Sequence, residues 1–91
     1  MILEIVSPEA TLFKGEVTSV AVPGVNGEFQ MLNNHAPIVS LLVKGNVKIN
    51  AQDIKIQKEF ISKFTKVNEQ TFWLPISSGT IEMNENKVIV L

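Results

Sequence analysis

Cysteine and arginine are both absent from this chain of 91 residues, and histidine occurs once. Without cysteine there is no disulfide, no thiol nucleophile and no zinc–thiolate site. All eight cations are therefore lysines. Arginine supplies the planar fork that grips phosphate bidentately, so its absence weighs against a nucleotide or nucleic-acid partner. No apolar run approaches the roughly 20 residues that a membrane helix needs, so no direct membrane insertion is expected. The opening Met1-Ile2-Leu3-Glu4 has neither a basic flank nor a small-residue cleavage site, so no signal peptide is expected. There is no Gly-x-Ser-x-Gly elbow, no phosphate-cradling glycine loop and no dinucleotide fingerprint. His35 has no carboxylates at ligand spacing beside it. The sequence thus predicts no catalytic residues, no metal site and no cofactor: a protein that is not an enzyme.

What is present is an ordinary globular share of apolar residues, 45%, in a chain long enough for one domain. Net charge is −1, but six lysines (Lys44, Lys48, Lys55, Lys58, Lys63, Lys66) crowd the middle, where only Asp53 and Glu59 oppose them. Such a segment suits an acidic partner or lipid surface, and more often a solvated face or a lysine-protected sheet edge.

The prevailing period is two. Leu3 and Ile5 flank Glu4; Val20 and Val22 flank Ala21; Val47 and Ile49 flank Lys48. Ile54 and Ile56, then Phe72, Leu74 and Ile76, then Ile81 and Met83 continue the pattern, and a β-branched run ends at Leu91. Alternation sends one side of each segment to the core and the other to solvent. Ser7-Pro8, Lys14-Gly15, Pro23-Gly24, Asn26-Gly27, Lys44-Gly45, Ser78-Gly79 and Asn84-Glu85-Asn86 supply turns between the runs. Many short strands with close turns predict an all-β fold, a small β-sandwich or flattened barrel of about 8–10 strands. Pro75 belongs at an edge or bulge. Phe60, Ile61, Phe64 and Val67 have helical spacing, so a short helix near 58–66 is expected, capping one end of the barrel.

Two small-barrel functions fit poorly. A swinging-arm carrier places its lysine at a hairpin tip, whereas Lys87 follows the Asn84–Asn86 turn. A free-standing ligand- or nucleic-acid-binding barrel stacks bases on exposed aromatics among basic residues. Here most aromatics fall on core-facing positions; Trp73, between Phe72 and Leu74, is the exception and belongs on a second apolar face.

The span from Pro23 to Ile38 concentrates prolines, glycines, asparagines and the only histidine, just before the apolar run Ile38–Val43. With Gly27-Glu28-Phe29 and Asn34-His35-Ala36-Pro37-Ile38 it resembles the signature of the epsilon subunit family of F-type ATP synthases, in its N-terminal β-sandwich domain. Leu3–Glu9 with Leu12–Gly15, and Ser77–Met83 with Asn86–Leu91, resemble that family's start and closing hairpin. Departures are Gln30 and Ser78, where glycine is common, and the segment 51–70, which reads as an atypical insertion into a single domain spanning 1–91. Nothing here matches the family's C-terminal helical hairpin, so its inhibitory and ATP-binding roles are not carried over.

The resemblance implies a non-catalytic central-stalk subunit of a hetero-oligomeric complex. It would couple the gamma subunit to the c-subunit ring during proton-driven ATP synthesis, peripherally on the cytoplasmic face of a bacterial inner membrane. By the same resemblance Glu28, Phe29 and Gln30 would contact the c ring. Ser7, from a strand adjacent to the motif, and His35, Ala36, Pro37 and Ile38 would contact gamma, with Ile38 and Val39 as an apolar ledge. Taken alone, Glu28 reads also as a solvated hairpin residue, and His35 as a buried histidine held by backbone carbonyls.

Overall fold

Alternation becomes burial strand by strand in the computed structural model, which describes residues 1–91. The strands are β1 (Ile2–Val6), β2 (Thr11–Glu16), β3 (Ser19–Gly24), β4 (Gly27–Leu32), β5 (Ile38–Leu42), β6 (Gly45–Asn50), β7 (Thr65–Asn68), β8 (Thr71–Ile76), β9 (Gly79–Asn84) and β10 (Lys87–Val90). Leu3 and Ile5 of β1, Val47 and Ile49 of β6, Ile81 and Met83 of β9, and Val88 and Val90 of β10 are buried, while their neighbours in sequence are not. Nineteen buried residues form one apolar cluster, so both halves of the molecule share a single core.

The ten strands form one sheet in the order β2-β1-β10-β9-β5-β3-β6-β8-β7, with β4 on the other side of β3. The sheet doubles over on a bent ribbon. Strands β5 and β6 run on from each other across Val43-Lys44, and β8 and β9 across Ser77-Ser78. They pair antiparallel on both sides of the bend, Leu42 with Gly79 and Gly45 with Ile76. One half, β2-β1-β10-β9-β5, thereby packs on the other, β4-β3-β6-β8-β7. A side chain at Gly79 has no room at the bend, because its Cβ would lie 2.6 Å from the Leu91 carbonyl oxygen. The all-β sandwich read from the sequence is thus the fold observed.

The segment from Ala51 to Phe64 closes the open side. Ala51 and Phe64 are buried, and Ile54, Ile56 and Phe60 pack against the core from outside it. Lys55 and Gln57 reach β2, flanking a polar recess with Thr11–Lys14. The short helix expected near 58–66 is reduced to one 3-10 turn at Ile61–Lys63. Thr65 and Lys66 pair with Trp73 and Phe72 of β8 instead, and Val67 is exposed in that strand. Cross-strand pairing with the aromatic residues of β8 outweighs a weak helical period. Strand β7 is a sheet edge, kept short, bulged between Lys66 and Asn68, and charged, which are devices that discourage edge-to-edge pairing. Pairing between β7 and β8 goes no further than Trp73, so Pro75 sits where β8 is locally an edge.

Candidate functional site

Two exposed turns carry most of the residues singled out by sequence. The first joins β3 to β4. Asn26 and Gly27 close it, and Gly27 adopts φ 116, a backbone region that side chains rarely tolerate. Glu28 and Gln30 project outward from β4 and are exposed; Phe29 and Met31 point the other way. Phe29 packs against the core, with its ring where a Gly24 side chain would stand, so it braces the turn from beneath. Glu28 is not merely solvated: its Oε1 lies 2.9 Å from Lys48 Nζ. That ammonium is also 4.5 Å from the centre of the Trp73 ring.

The second turn, Asn33–Pro37, leads into β5. His35, Ala36 and Pro37 are exposed, which rules out a buried histidine. The His35 amide donates to the Leu32 carbonyl at 3.1 Å, and its Nδ1 lies 2.7 Å from the Ala36 carbonyl oxygen. The base of the turn is tied to the β9–β10 hairpin. Asn34, at φ 63, donates its amide to Asn86 Oδ1 at 2.8 Å. Asn86 Nδ2 in turn donates to Asn33 Oδ1 at 3.0 Å, and the Met1 ammonium donates to the same oxygen at 2.8 Å.

Beyond Pro37 the parity of β5 decides what a partner meets. Ile38 packs inward, against the core. Val39 and Leu41 face outward, 76% and 65% exposed, followed by Val43. The apolar ledge is therefore Val39–Leu41–Val43, not Ile38 with Val39. Ser7 is elsewhere. Strands β10 and β9 separate β1 from β5, and Ser7 lies past the Val6 end of β1, in a short turn where its hydroxyl donates to the Ala10 carbonyl at 3.2 Å. The expectation that its strand adjoins the His35 motif does not hold: β1 pairs with β10 and β2.

The two turns do not converge. Glu28 and Leu32 are separated along β4 by roughly 13 Å, and His35 lies beyond Leu32. Each turn has its own neighbours: Lys48 and Trp73 for one, Asn86 for the other. No three His, Cys, Asp or Glu side chains cluster closely enough to hold a metal ion. What the site offers is protein surface: a braced carboxylate on one turn, and a histidine with an apolar row on the other. Lys48, Asn86, Leu41 and Val43 were not singled out from sequence. Only the last two left a signal, since a run as apolar as Ile38–Val43, broken only by Ser40, implies cover on both faces.

Comparison with known proteins bears on the family and the fold. A family profile described as ATP synthase, Delta/Epsilon chain, beta-sandwich domain, matches residues 1–63. The ATP synthase epsilon chain of Chlorobaculum tepidum is 37% identical over 98% of this chain and 84% of its own length. That of Chlorobium limicola is 36% identical over the same shares. The epsilon chain of Sulfurimonas denitrificans is 34% identical over 98% of this chain, which spans 57% of its length. A chain of the Tetrahymena thermophila mitochondrial ATP synthase, from a structure of its central stalk and c ring, superposes with a TM-score of 0.71. The match covers 99% of this chain and 60% of that one at 12% identity, which speaks to the fold alone.

Proposed function

The chain belongs to the delta/epsilon family of ATP synthase subunits, and on that footing we propose that it is a non-catalytic central-stalk subunit of an F-type enzyme, coupling gamma to the c ring. The observation that carries the reading is the pair of exposed, separately braced turns on an all-strand block. A part that transmits torque between two neighbours needs two contact sites that do not yield relative to each other. A close-packed interior deforms little, and here one apolar cluster underlies both halves of the sheet.

In this reading Glu28 and Gln30 meet the polar loops of the c ring, with Phe29 as their brace. His35, Ala36, Pro37 and the outward residues of β5 meet gamma, with Ile38 anchoring that strand in the core. Ser7 contributes to the gamma contact only where gamma also reaches the far end of β1. The segment 51–70 is an atypical part of the same single domain. No helix is long and apolar enough to cross a membrane; we place the chain peripherally, on the cytoplasmic face, held there by its partners. A base-stacking role is disfavoured because Lys48 already occupies the approach to Trp73.

Affinity purification of the tagged chain from solubilised membranes of its own organism tests the assignment. Gamma and the c subunit should be recovered with it, and His35→Asp should lower the yield of gamma. Recovery of neither subunit would overturn the proposal.

A further inference from the structure

Glu28 belongs to a ladder that crosses four strands. Its carboxylate lies on β4, Lys48 on β6 and Trp73 on β8, with β3 running between β4 and β6. Neighbouring strands are about 4.8 Å apart, and Glu28 is opposite Pro23, two residues along β3 from Ala21, so Glu28 and Lys48 start roughly 12 Å from each other. They meet at 2.9 Å by reaching diagonally across β3, past the small Ala21 beside Lys48 and Pro23 beside Glu28. Ala21 of β3 is the register partner of Lys48 on one side and of Gln30 on the other. It is 7% exposed on this outer face, so longer side chains cover it.

Lys48 and Trp73 are opposite each other in the β6–β8 register. The ring face attracts the ammonium and limits the positions it can take. Both members of the ion pair are only partly exposed, 31% for the Lys48 side chain and 49% for Glu28. One carboxylate oxygen of Glu28 is engaged by Lys48, which leaves the other to face a partner.

We propose that Lys48 is the positioning residue of the Glu28 contact: held by the Trp73 ring and passing over Ala21, it fixes the carboxylate in the direction the c ring meets. This rests on the reading of Glu28 as a c-ring residue. Lys48 acts through Glu28 and makes no contact of its own with the ring.

The test is co-sedimentation of a reconstituted head-and-stalk complex with c-ring membranes stripped of their head, in parallel with emission from Trp73, the only tryptophan in the chain. Lys48→Met should weaken binding about three- to fivefold, the scale of a half-exposed ion pair. In a Glu28→Gln background the same change should have no further effect. Lys48→Arg should retain most of the binding, since a guanidinium can both pair and stack. Ala21→Leu should reproduce the loss without removing a charge, by separating the pair. Trp73 emission should shift in Lys48→Met and in Glu28→Gln.

An equal loss from Lys48→Met with and without Glu28 would overturn the proposal, as would full binding by Ala21→Leu. If Glu28→Gln leaves binding intact while Trp73 emission still responds, the c-ring reading of Glu28 falls and takes this role with it, although the ladder stands. If emission responds to neither change, the ladder itself is refuted.

Discussion

Val39 and Leu41 offer the sharpest test of the proposal that this ledge faces gamma, because they are too exposed to matter much to the fold. They point outward from β5 at 76% and 65% exposure, and their register partners on β9 are Glu82 and Thr80. Fully burying a valine or leucine is worth about 1.5–3 kcal/mol. Most of that gain remains to be made at these two positions, so each should contribute on the order of 1–2 kcal/mol when a partner covers it. Threonine keeps the β-branching of Val39 and supplies it in place of Leu41, which suits a strand, while adding a hydroxyl to the face. The double variant Val39→Thr/Leu41→Thr should therefore bind gamma more weakly by about 2–3 kcal/mol, roughly 30- to 150-fold in Kd. Its own stability should change by no more than about 0.5 kcal/mol, as for exposed substitutions generally, moving Tm by about 2–4 °C. Calorimetric titration of the purified chain with gamma of the same organism, beside a thermal melt, reads both quantities. Affinity within threefold of the parent, with an unchanged melt, would remove β5 from the interface.

Two further expectations separate fold from function. Gly79→Ala should lower the urea midpoint by the equivalent of about 1–3 kcal/mol, because the added methyl meets a backbone carbonyl rather than a movable side chain; an unchanged midpoint would mean the bend relaxes freely. Asn86→Gly keeps the left-handed backbone at φ 61 but removes the side chain that accepts from the Asn34 amide. Hydrogen exchange at Asn34 should quicken and gamma binding weaken while the β9–β10 hairpin persists, and slow exchange there would show that the turn is held by other contacts.

The sequence was most legible where burial is one-sided. Leu3-Glu4-Ile5 and Ile81-Glu82-Met83 alternate cleanly because each lies in a strand with one face in the core and one in solvent. Legibility failed where a second body of structure covers a strand. In β3 the alternation places Val20 and Val22 in the core correctly, but it does not show that Ser19 and Ala21 on the outer side are buried too. Pro23-Gly24 looks like a turn but ends a strand; the chain reverses at Val25-Asn26 instead. Helical spacing in Phe60–Val67 gave way to an edge strand because β8 offered unpaired backbone beside it. A ledge of Ile38 with Val39 joins neighbours that belong to opposite faces of β5: Val39 is outward, but Ile38 packs on the core.

The site residues show the same divide. Glu28 and His35 stood out through the glycine, asparagine and proline around them, and both are exposed. Phe29 shares the motif but faces the core, since alternation carries through a motif as it does through any strand. Lys48 and Asn86 are contributed by segments distant in sequence, and only pairing between strands brings them to the turns. No local pattern encodes such a meeting; it follows from register, which is a property of the assembled sheet.

That register also bears on how the proposed coupling would carry load. Lys48, which holds Glu28, lies on β6, and Val39 lies on β5. The two strands are consecutive along the chain across Val43-Lys44, and β8–β9 pairs with them on both sides of the bend. A force entering at the Glu28 turn would therefore reach the ledge proposed to face gamma along one paired ribbon, without crossing a long unpaired loop. Bending that ribbon means distorting a ladder of backbone hydrogen bonds and the core residues Val47, Ile49, Leu74 and Ile81 beneath it. Close packing resists that distortion. The bend is where the ladder is thinnest, and it is there that the Gly79 backbone packs directly against the Leu91 carbonyl with no side chain between them. If the coupling reading holds, loosening this contact should reduce torque transfer before it unfolds the chain, which ties the stability of the bend to the work the subunit is proposed to do.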